Sequence, residues 1–191
     1  MIVIKYGGHA MTDSTGAFAE VIQNYLSSGK SCVIVHGGGP HIDAELKVRG
    51  IEKISVNGFR ITTPEVMHVV EMVLTGTVLR SVVRSLRAAG LPAVGITGSD
   101  DGLLEVKPRD LDQLGLVGEV VRVNPRIIND LLDKGYLPVI SPVANDANGQ
   151  ALNINADIAA GAIAGALRAT QMLFMTDVPG IYSNWPDKTS L

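Results

Sequence analysis

Short apolar runs alternate with amphipathic segments along most of this chain. The runs Ile2-Val3-Ile4 and Val33-Ile34-Val35, and a third over residues 137–140, are continuous and β-branched, which is typical of strands buried on both faces. Residues 17–28 and 64–74 carry apolar positions at helical spacing. The alternation predicts an α/β fold with an open, mostly parallel sheet sandwiched between helices.

Turn and cap residues set the bounds of the predicted elements. Gly29 ends the first helix, Pro40 belongs to the first turn of the next, and Thr63-Pro64-Glu65 begins a third. We expect the third helix to stop before a separate helix over 77–89. Asn57-Gly58 predicts a hairpin over 52–62. Residues 99–123 alternate over short runs, which predicts β-hairpins inserted at one edge of the parallel sheet. Further strands are predicted over 93–96 and 172–175.

The composition bounds the class of protein. A chain of 191 residues with 46% hydrophobic residues and 21 glycines fits one substantial core with many turns. The net charge is −3 and the charges are scattered, so we expect no nucleic-acid partner. The single Cys32 lies in an apolar run, which favours a buried thiol and a reducing, cytoplasmic location.

No segment of the sequence predicts a membrane partner. The longest apolar run, residues 158–167, is too short to span a bilayer. Gly161 and Gly165 lie four apart in this run. They fit either a membrane dimer motif or the close packing of a small-residue helix on a sheet, and we favour the packing.

Glycines directly follow two of the predicted strands. Lys5-Tyr6-Gly7-Gly8 ends the first and His36-Gly37-Gly38-Gly39 ends the second. Glycine at a strand exit lets backbone N–H groups approach an anion, and a following helix adds its positive end. The alternative is plain turn chemistry. Neither stretch has the spacing of a Walker loop or a dinucleotide fingerprint, so we interpret the pair as a different kind of phosphate cradle.

A third polar stretch, Asn153-Ile154-Asn155-Ala156-Asp157, leads into a predicted helix. Asn153 and Asn155 share one face of the extended approach, and amides suit a polar substrate. Asp157 is either a simple N-cap or a functional carboxylate. Arg60 is either a solvated surface residue or a carboxylate clamp, because guanidinium binds carboxylates in bidentate fashion. With Lys5 as a mobile charge, the stretches indicate handling of a phosphoryl group.

The four histidines do not have the spacing of a metal site. His36 and His41 lie five residues apart across a predicted turn, and His9 and His68 have no acidic or Cys/His neighbours. We expect imidazoles that are exposed or satisfied in the core, and no metal bound by the protein itself.

These motifs resemble the amino-acid kinase family. The glycine stretches mark the wider family. The hairpin Asn57-Gly58-Phe59-Arg60-Ile61-Thr62 and the stretch over 153–157 are most similar to its acetylglutamate kinase branch. The order and spacing match over residues 1–182. The resemblance implies an enzyme that uses ATP to phosphorylate the side-chain carboxylate of N-acetyl-L-glutamate, giving an acyl phosphate in arginine biosynthesis.

The resemblance also implies roles for individual residues. Lys5 would stabilise the transferring phosphoryl group, Gly8 would donate an N–H bond to it, and Asp157 would orient the catalytic lysines. The amino-acid substrate would be held by Gly38, Gly39, Arg60, Asn153 and Asn155, with Arg60 on its α-carboxylate. The ATP site would begin with Thr176, Asp177, Gly180 and Tyr182.

The chemistry of the family agrees with these residue types. A carboxylate nucleophile is already ionised and needs no general base. The barrier is the approach of an anion to a polyanion, which lysines, N–H groups and nucleotide-bound Mg²⁺ would lower by neutralising charge.

The resemblance also predicts how the chain divides. Residues 1–170 would form the amino-acid-substrate lobe, and 171–191 the start of a truncated ATP-binding lobe, because the family's second phosphate-binding lysine lies further along. We therefore expect the 191-residue chain to be a fragment, or a natural truncation, that forms no acyl phosphate alone.

Two other functions stay open from the sequence. One is a kinase for aminoadipate or glutamate bound to a carrier protein, and the other is a catalytically dead amino-acid-binding module. For any of them we expect a homodimer formed through the apolar helix over 64–74 and a neighbouring sheet edge, since the valines of this helix exceed what one buried face needs.

Overall fold

Strands and helices alternate through the residues that the computed structural model describes, which are 1–7, 16–175, 183, 184, 187 and 189. The strands are β1 (Ile2–Tyr6), β2 (Cys32–His36), β3 (Ser55–Val56), β4 (Phe59–Arg60), β5 (Ala93–Thr97), β6 (Leu104–Pro108), β7 (Val117–Val123), β8 (Leu137–Ser141), β9 (Val143–Asn145), β10 (Ala151–Ile154) and β11 (Gln171–Met175). The helices are α1 (Ala17–Ser27), α2 (Gly39–Val48), α3 (Pro64–Glu71), α4 (Leu79–Ala88), α5 (Leu111–Leu114), α6 (Arg126–Asp133) and α7 (Ala156–Ala166).

A parallel sheet forms the centre of the described chain. Its five described strands run in the order β11-β1-β2-β8-β5, and every neighbouring pair is parallel. Successive side chains face opposite sides: Ile34 packs in the core beneath α1 to α4, whereas Val33 and Val35 pack in the core that contains α6 and α7. Both faces of the central strands β2 and β8 are buried, as the continuous apolar runs predict, whereas the edge strand β11 is partly exposed. The predicted α/β fold is confirmed.

The hairpin in residues 99–123 lies elsewhere than predicted. Strands β6 and β7 do not extend the parallel sheet; they belong to a second sheet of order β6-β7-β10-β9. Strand β7 pairs with β10 in parallel, a contact that local sequence does not reveal. Leu104 and Val106 alternate with more exposed residues in β6, so only one face of this strand packs on the core.

Helices α3 and α4 form one continuous helix, against the prediction of two. A π-helical segment over Met72–Val78 joins them, so the helix runs for 25 residues over Pro64–Ala88. Thr63 caps its start by accepting the Val66 N–H at 3.2 Å, as predicted. The wider π turn accommodates Thr75 and Gly76 within the helix, so the chain does not break there.

The valines of this helix are core residues. By length and composition alone the helix could cross a membrane, but half of its most apolar window is buried inside the protein. Val66, Val69, Val70 and Val73 are all buried against the same chain. The apolar composition is therefore that of a core helix, and these valines do not supply the exposed apolar surface on which we based the expected dimer.

Two side chains at the ends of β2 titrate abnormally because they are buried. Cys32 is fully buried, as predicted, and burial raises the pKa of its thiol to about 12. The His36 ring is also fully buried, with Nδ1 2.7 Å from the Gly37 carbonyl and no partner for Nε2. Burial lowers the pKa of His36 to about 4, against an opposing effect of the Gly37 hydrogen bond. We assign the neutral tautomer that donates from Nδ1.

His36 should make the stability of the protein pH-dependent. Its folded-state pKa of about 4 lies below the ordinary 6.5, so the unfolded chain binds more protons between these values. Stability due to neutral His36 is complete above pH 6.5 and is lost as pH falls toward 4. Between pH 6.5 and 4, the free energy of unfolding measured in urea should fall by up to about 3 kcal/mol more for wild type than for His36→Gln. Exposed His41→Gln is the control, and parallel curves for wild type and His36→Gln would contradict the assignment.

Gly38 should tolerate no side chain because of the π segment. A Cβ there would lie 2.5 Å from Leu74 Cδ2 and 3.3 Å from Val78 Cγ2, both on buried side chains. Gly38→Ala should reduce the free energy of unfolding by about 1–3 kcal/mol through overpacking. Leu74→Ala in the same chain should recover part of this loss. Gly39→Ala meets nothing within 4 Å and serves as the control. Additive effects of Gly38→Ala and Leu74→Ala in urea unfolding would disprove the clash.

Candidate active site

A cavity of about 230 Å³ opens where β1 and β2 end and α2 and α7 begin. This is the carboxyl edge of the parallel sheet, where open α/β folds bind their ligands. Of the described residues, those expected from the sequence to act here all line it: Lys5, Gly38, Gly39, Arg60, Asn153, Asn155 and Asp157. Gly8, Thr176, Asp177, Gly180 and Tyr182 lie outside the described residues.

Lys5 is held at one side of the cavity by Asp157. Its Nζ lies 3.2 Å from Asp157 Oδ1, and its side chain is 13% exposed whereas that of Asp157 is 53% exposed. The ammonium group lies over the first glycine turn, since a Cβ on Gly7 would be only 2.6 Å from Nζ. A side chain at residue 7 would therefore displace the Lys5 ammonium from its present position.

Asn155, and not Asp157, caps helix α7. The Asn155 Oδ1 accepts hydrogen bonds from the N–H groups of Asp157 and Ile158, at 2.9 and 3.2 Å. The alternative that Asp157 is a simple N-cap is therefore wrong. Its carboxylate lies in the first helical turn, where the helix dipole favours negative charge, and is available to pair with Lys5. The side-chain oxygen of Asn155 serves the helix rather than the cavity.

The second glycine turn packs against the first. The Gly37 N–H donates to the Tyr6 carbonyl at 2.7 Å, which joins the ends of β1 and β2. Gly38 and Gly39 then begin α2, whose first turn has no side-chain cap. The N–H groups at the start of a helix lack partners within the helix. Beside Lys5, this helix start can accept an anion from the cavity.

Arg60 also lines the cavity and lies in the short β3–β4 hairpin. Its side chain is 12% exposed, so the alternative of a solvated surface arginine is wrong. Its Nη2 donates to Asp43 Oδ1, and Nη1 is buried with no hydrogen-bond partner. Asp43 also accepts from Lys53 Nζ, at 2.7 Å through its other oxygen. The two N–H bonds of Nη1 are therefore left without an acceptor in the described structure.

Thr62 connects the hairpin to the second sheet. Its hydroxyl donates to the Arg60 carbonyl at 2.8 Å and accepts from Asn153 Nδ2 at 3.1 Å. Its backbone bonds to Leu114 and Leu116, which requires Gly115 because a Cβ there would lie 2.4 Å from the Thr62 carbonyl oxygen. Arg60 and Asn153, 93 residues apart in sequence, are thereby fixed on one wall.

Sequence reasoning missed three residues that shape the site: Asp43, Thr62 and Leu74. Asp43 carried a signal, because it lies one helical turn after Gly39 on the same face of α2. Leu74 lines the cavity only because the π segment turns it inward. The described residues contain no group of three or more His, Cys, Asp and Glu side chains that could hold a metal ion.

The described geometry places two cationic side chains with different carboxylate partners in one cavity. Lys5 and the glycine turns offer ammonium and N–H donors, and Arg60 offers a planar guanidinium. A ligand with a phosphate at one end and a carboxylate at the other matches these donors.

Comparisons with known proteins assign the whole chain to one family. The family model described as "Amino acid kinase family" matches residues 1–191. Acetylglutamate kinase from Geobacillus sp. (strain WCH70) is 50% identical, covering 96% of this chain and 71% of the relative. The corresponding enzyme of Mycobacterium sp. (strain JLS) is 48% identical, covering 100% and 69%. The crystal structure of smu.665 from Streptococcus mutans UA159 superimposes with a TM-score of 0.90 at 34% identity, covering 96% of this chain and 75% of that one. This chain belongs to the amino acid kinase family.

Proposed function

We propose that this chain carries the substrate site of an acetylglutamate kinase, which uses ATP to convert the side-chain carboxylate of N-acetyl-L-glutamate into an acyl phosphate. The relatives named acetylglutamate kinase, about half identical over nearly the whole chain, support this proposal. One structural observation carries it: Lys5, held by Asp157, and Arg60, whose Nη1 has no hydrogen-bond partner, line one cavity. Arginine biosynthesis is the corresponding pathway.

The proposed reaction needs no general base. The substrate carboxylate is ionised at neutral pH and attacks the terminal phosphorus of ATP, and the bond from that phosphorus to the bridging oxygen of ADP breaks. Lys5 places positive charge beside the transferring group, and Asp157 keeps its ammonium oriented. The N–H groups at Gly38 and Gly39 lie at the same side of the cavity and add donors. Gly8 is proposed to donate in the same way.

Arg60 is proposed to fix the other end of the substrate. Its free Nη1 would donate to the α-carboxylate of acetylglutamate, and Asn153 on the same wall would contact a polar group of the substrate. Asn155 is proposed to act on the substrate only through its position at the start of α7. Binding both ends of the substrate orients its side-chain carboxylate toward the phosphoryl group.

The proposed ATP-binding residues are inferred from membership of the amino acid kinase family. Residues 1–170 are proposed as the amino-acid-substrate lobe and 171–191 as the beginning of the ATP-binding lobe, with Thr176, Asp177, Gly180 and Tyr182 in contact with ATP. Mg²⁺, carried by the nucleotide phosphates, would neutralise charge on the transferring group. A cytoplasmic homodimer is proposed as well, with an interface away from the buried valines of α3.

Lys5 is predicted to act on the chemical step and not on substrate binding. We would test this in an extended enzyme, made by joining this chain to the part of the Geobacillus relative outside the aligned segment. Hydroxylamine traps the acyl phosphate as a hydroxamate. Lys5→Met should lower kcat by roughly 10²–10³-fold, the typical cost of losing one preorganised charge donor. Its Kd for acetylglutamate should change by less than about threefold. Exposed Lys47→Met on α2 is the matched control.

Two outcomes of that assay would contradict the proposal. If the extended enzyme forms no hydroxamate with acetylglutamate and Mg-ATP, the assigned reaction is wrong. If Lys5→Met retains kcat, the charge that drives transfer lies elsewhere. The 191-residue chain run in parallel tests the expectation that this chain alone forms no acyl phosphate.

Arg60 is predicted to contribute to the binding of the amino-acid substrate alone. Removing a desolvated, charge-assisted contact costs roughly 2–5 kcal/mol, so Arg60→Ala should raise KM for acetylglutamate far more than KM for ATP. Steady-state kinetics of the extended enzyme give both values. Arg109→Ala is the control for damage to the hairpin, because the Arg109 side chain lies over Phe59, which is next to Arg60 in β4. Equal increases in both KM values would show that Arg60 does not bind the α-carboxylate.

A further inference from the structure

We propose that Asp43 is a positioning residue for the substrate: it holds the guanidinium of Arg60, a side chain that lines the cavity, in place for the substrate α-carboxylate. This inference rests on the proposed function and extends it to a residue of α2 that would not itself touch the substrate.

The contacts of Asp43 use both of its carboxylate oxygens. Oδ1 accepts from Arg60 Nη2, and Oδ2 accepts from Lys53 Nζ at 2.7 Å. Burial acts to raise the pKa of Asp43, but hydrogen bonds from Lys53 and Arg60 outweigh it and hold the pKa below its ordinary value. Asp43 is therefore an ionised carboxylate between two cations at neutral pH.

Because the guanidinium is planar, the contact with Asp43 fixes the orientation of the whole Arg60 head group. Its nitrogens have a fixed geometry, so an Nη2 held by Asp43 also fixes where Nη1 points. Nη1 is buried, has no hydrogen-bond partner, and belongs to a side chain that lines the cavity. A buried donor without a partner is unfavourable, and an incoming carboxylate removes that cost. Asp43 thus binds Nη2 of Arg60 and leaves Nη1 without an acceptor until a ligand carboxylate binds.

Asp43 also sets the distance between the two ends of the substrate site. Lys53 precedes β3 and Arg60 lies in β4, so one carboxylate holds both sides of the hairpin to α2. The first residues of α2 are part of the glycine turn on the phosphate side of the cavity. A single side chain therefore couples the position of Arg60 to that of the glycine turn.

The decisive comparison uses two ligands and a matched control variant. Acetylglutamate carries the α-carboxylate, whereas 4-acetamidobutyrate is the same molecule without it. Asp43→Asn keeps the size of the side chain and removes its charge. Glu45→Gln makes the same change two residues on, at a carboxylate that pairs with Arg49 and has the same 32% side-chain exposure. Calorimetry on the extended enzyme gives Kd for each ligand.

We expect Asp43→Asn to weaken acetylglutamate binding about tenfold or more, because the charge-assisted contact loses its geometry. Binding of 4-acetamidobutyrate should change by less than about twofold, and Glu45→Gln should affect neither ligand beyond that range. Equal weakening of both ligands by Asp43→Asn would indicate general damage and overturn the inference. Tighter acetylglutamate binding would also overturn it, since Asp43 would then compete with the substrate for Arg60.

A ligand-free measurement separates this inference from the proposed function. In ¹⁵N NMR spectra, the Arg60 guanidinium of wild type should show restricted rotation, with distinct Nη signals that Asp43→Asn abolishes and Glu45→Gln retains. If wild type fails to bind acetylglutamate, the proposed function is wrong, and the NMR result still decides whether Asp43 holds Arg60. Unchanged Arg60 signals in Asp43→Asn would overturn the inference by themselves.

Discussion

Each cation of the cavity is held by a carboxylate on a helix that begins beside the cavity. Asp157 of α7 pairs with Lys5, and Asp43 of α2 pairs with Arg60. A long basic side chain loses conformational freedom when it is fixed, and a cation loses hydration when it is buried. A carboxylate offsets both costs only if its own backbone is rigid. The positions of the two helices therefore decide whether the site exists.

The parallel sheet puts those helices in place. Strands β1 and β2 are neighbours in register, with Lys5 opposite Val35 and Tyr6 opposite His36, so both glycine turns leave the sheet at one edge. Helix α2 continues from the second turn. Helix α7 follows β10 of the second sheet, so Asp157 reaches Lys5 only because the two sheets meet at this edge. The β6–β7 hairpin, whose position we predicted wrongly, contributes to the site because β7 pairs with β10, the strand that leads into α7.

The sequence was informative where a short segment decides the structure. The strand-to-glycine exits, the Asn57-Gly58 turn and the Thr63 cap each depend on neighbouring residues, and each is observed as predicted. Three features depend on contacts between distant segments and were missed: the β7–β10 pairing, the burial of the α3 valines, and the Asp43–Arg60 pair. Helical spacing showed that the valines share a face, but it could not show whether that face meets the same chain or a partner.

Pairing the cations also changes how the cavity can recognise an anion. Lys5 pairs with Asp157 and Arg60 with Asp43, so each positive charge of the cavity is partly offset by a carboxylate next to it. What remains are directed donors: an ammonium group has three N–H bonds, only one of which an oxygen of Asp157 requires, and Arg60 Nη1 has no partner. Such donors act only on an anion whose oxygens reach both positions. A site of this kind discriminates by the spacing of charges in its ligand, which suits an enzyme that must choose one dicarboxylate among the many anions of a cell.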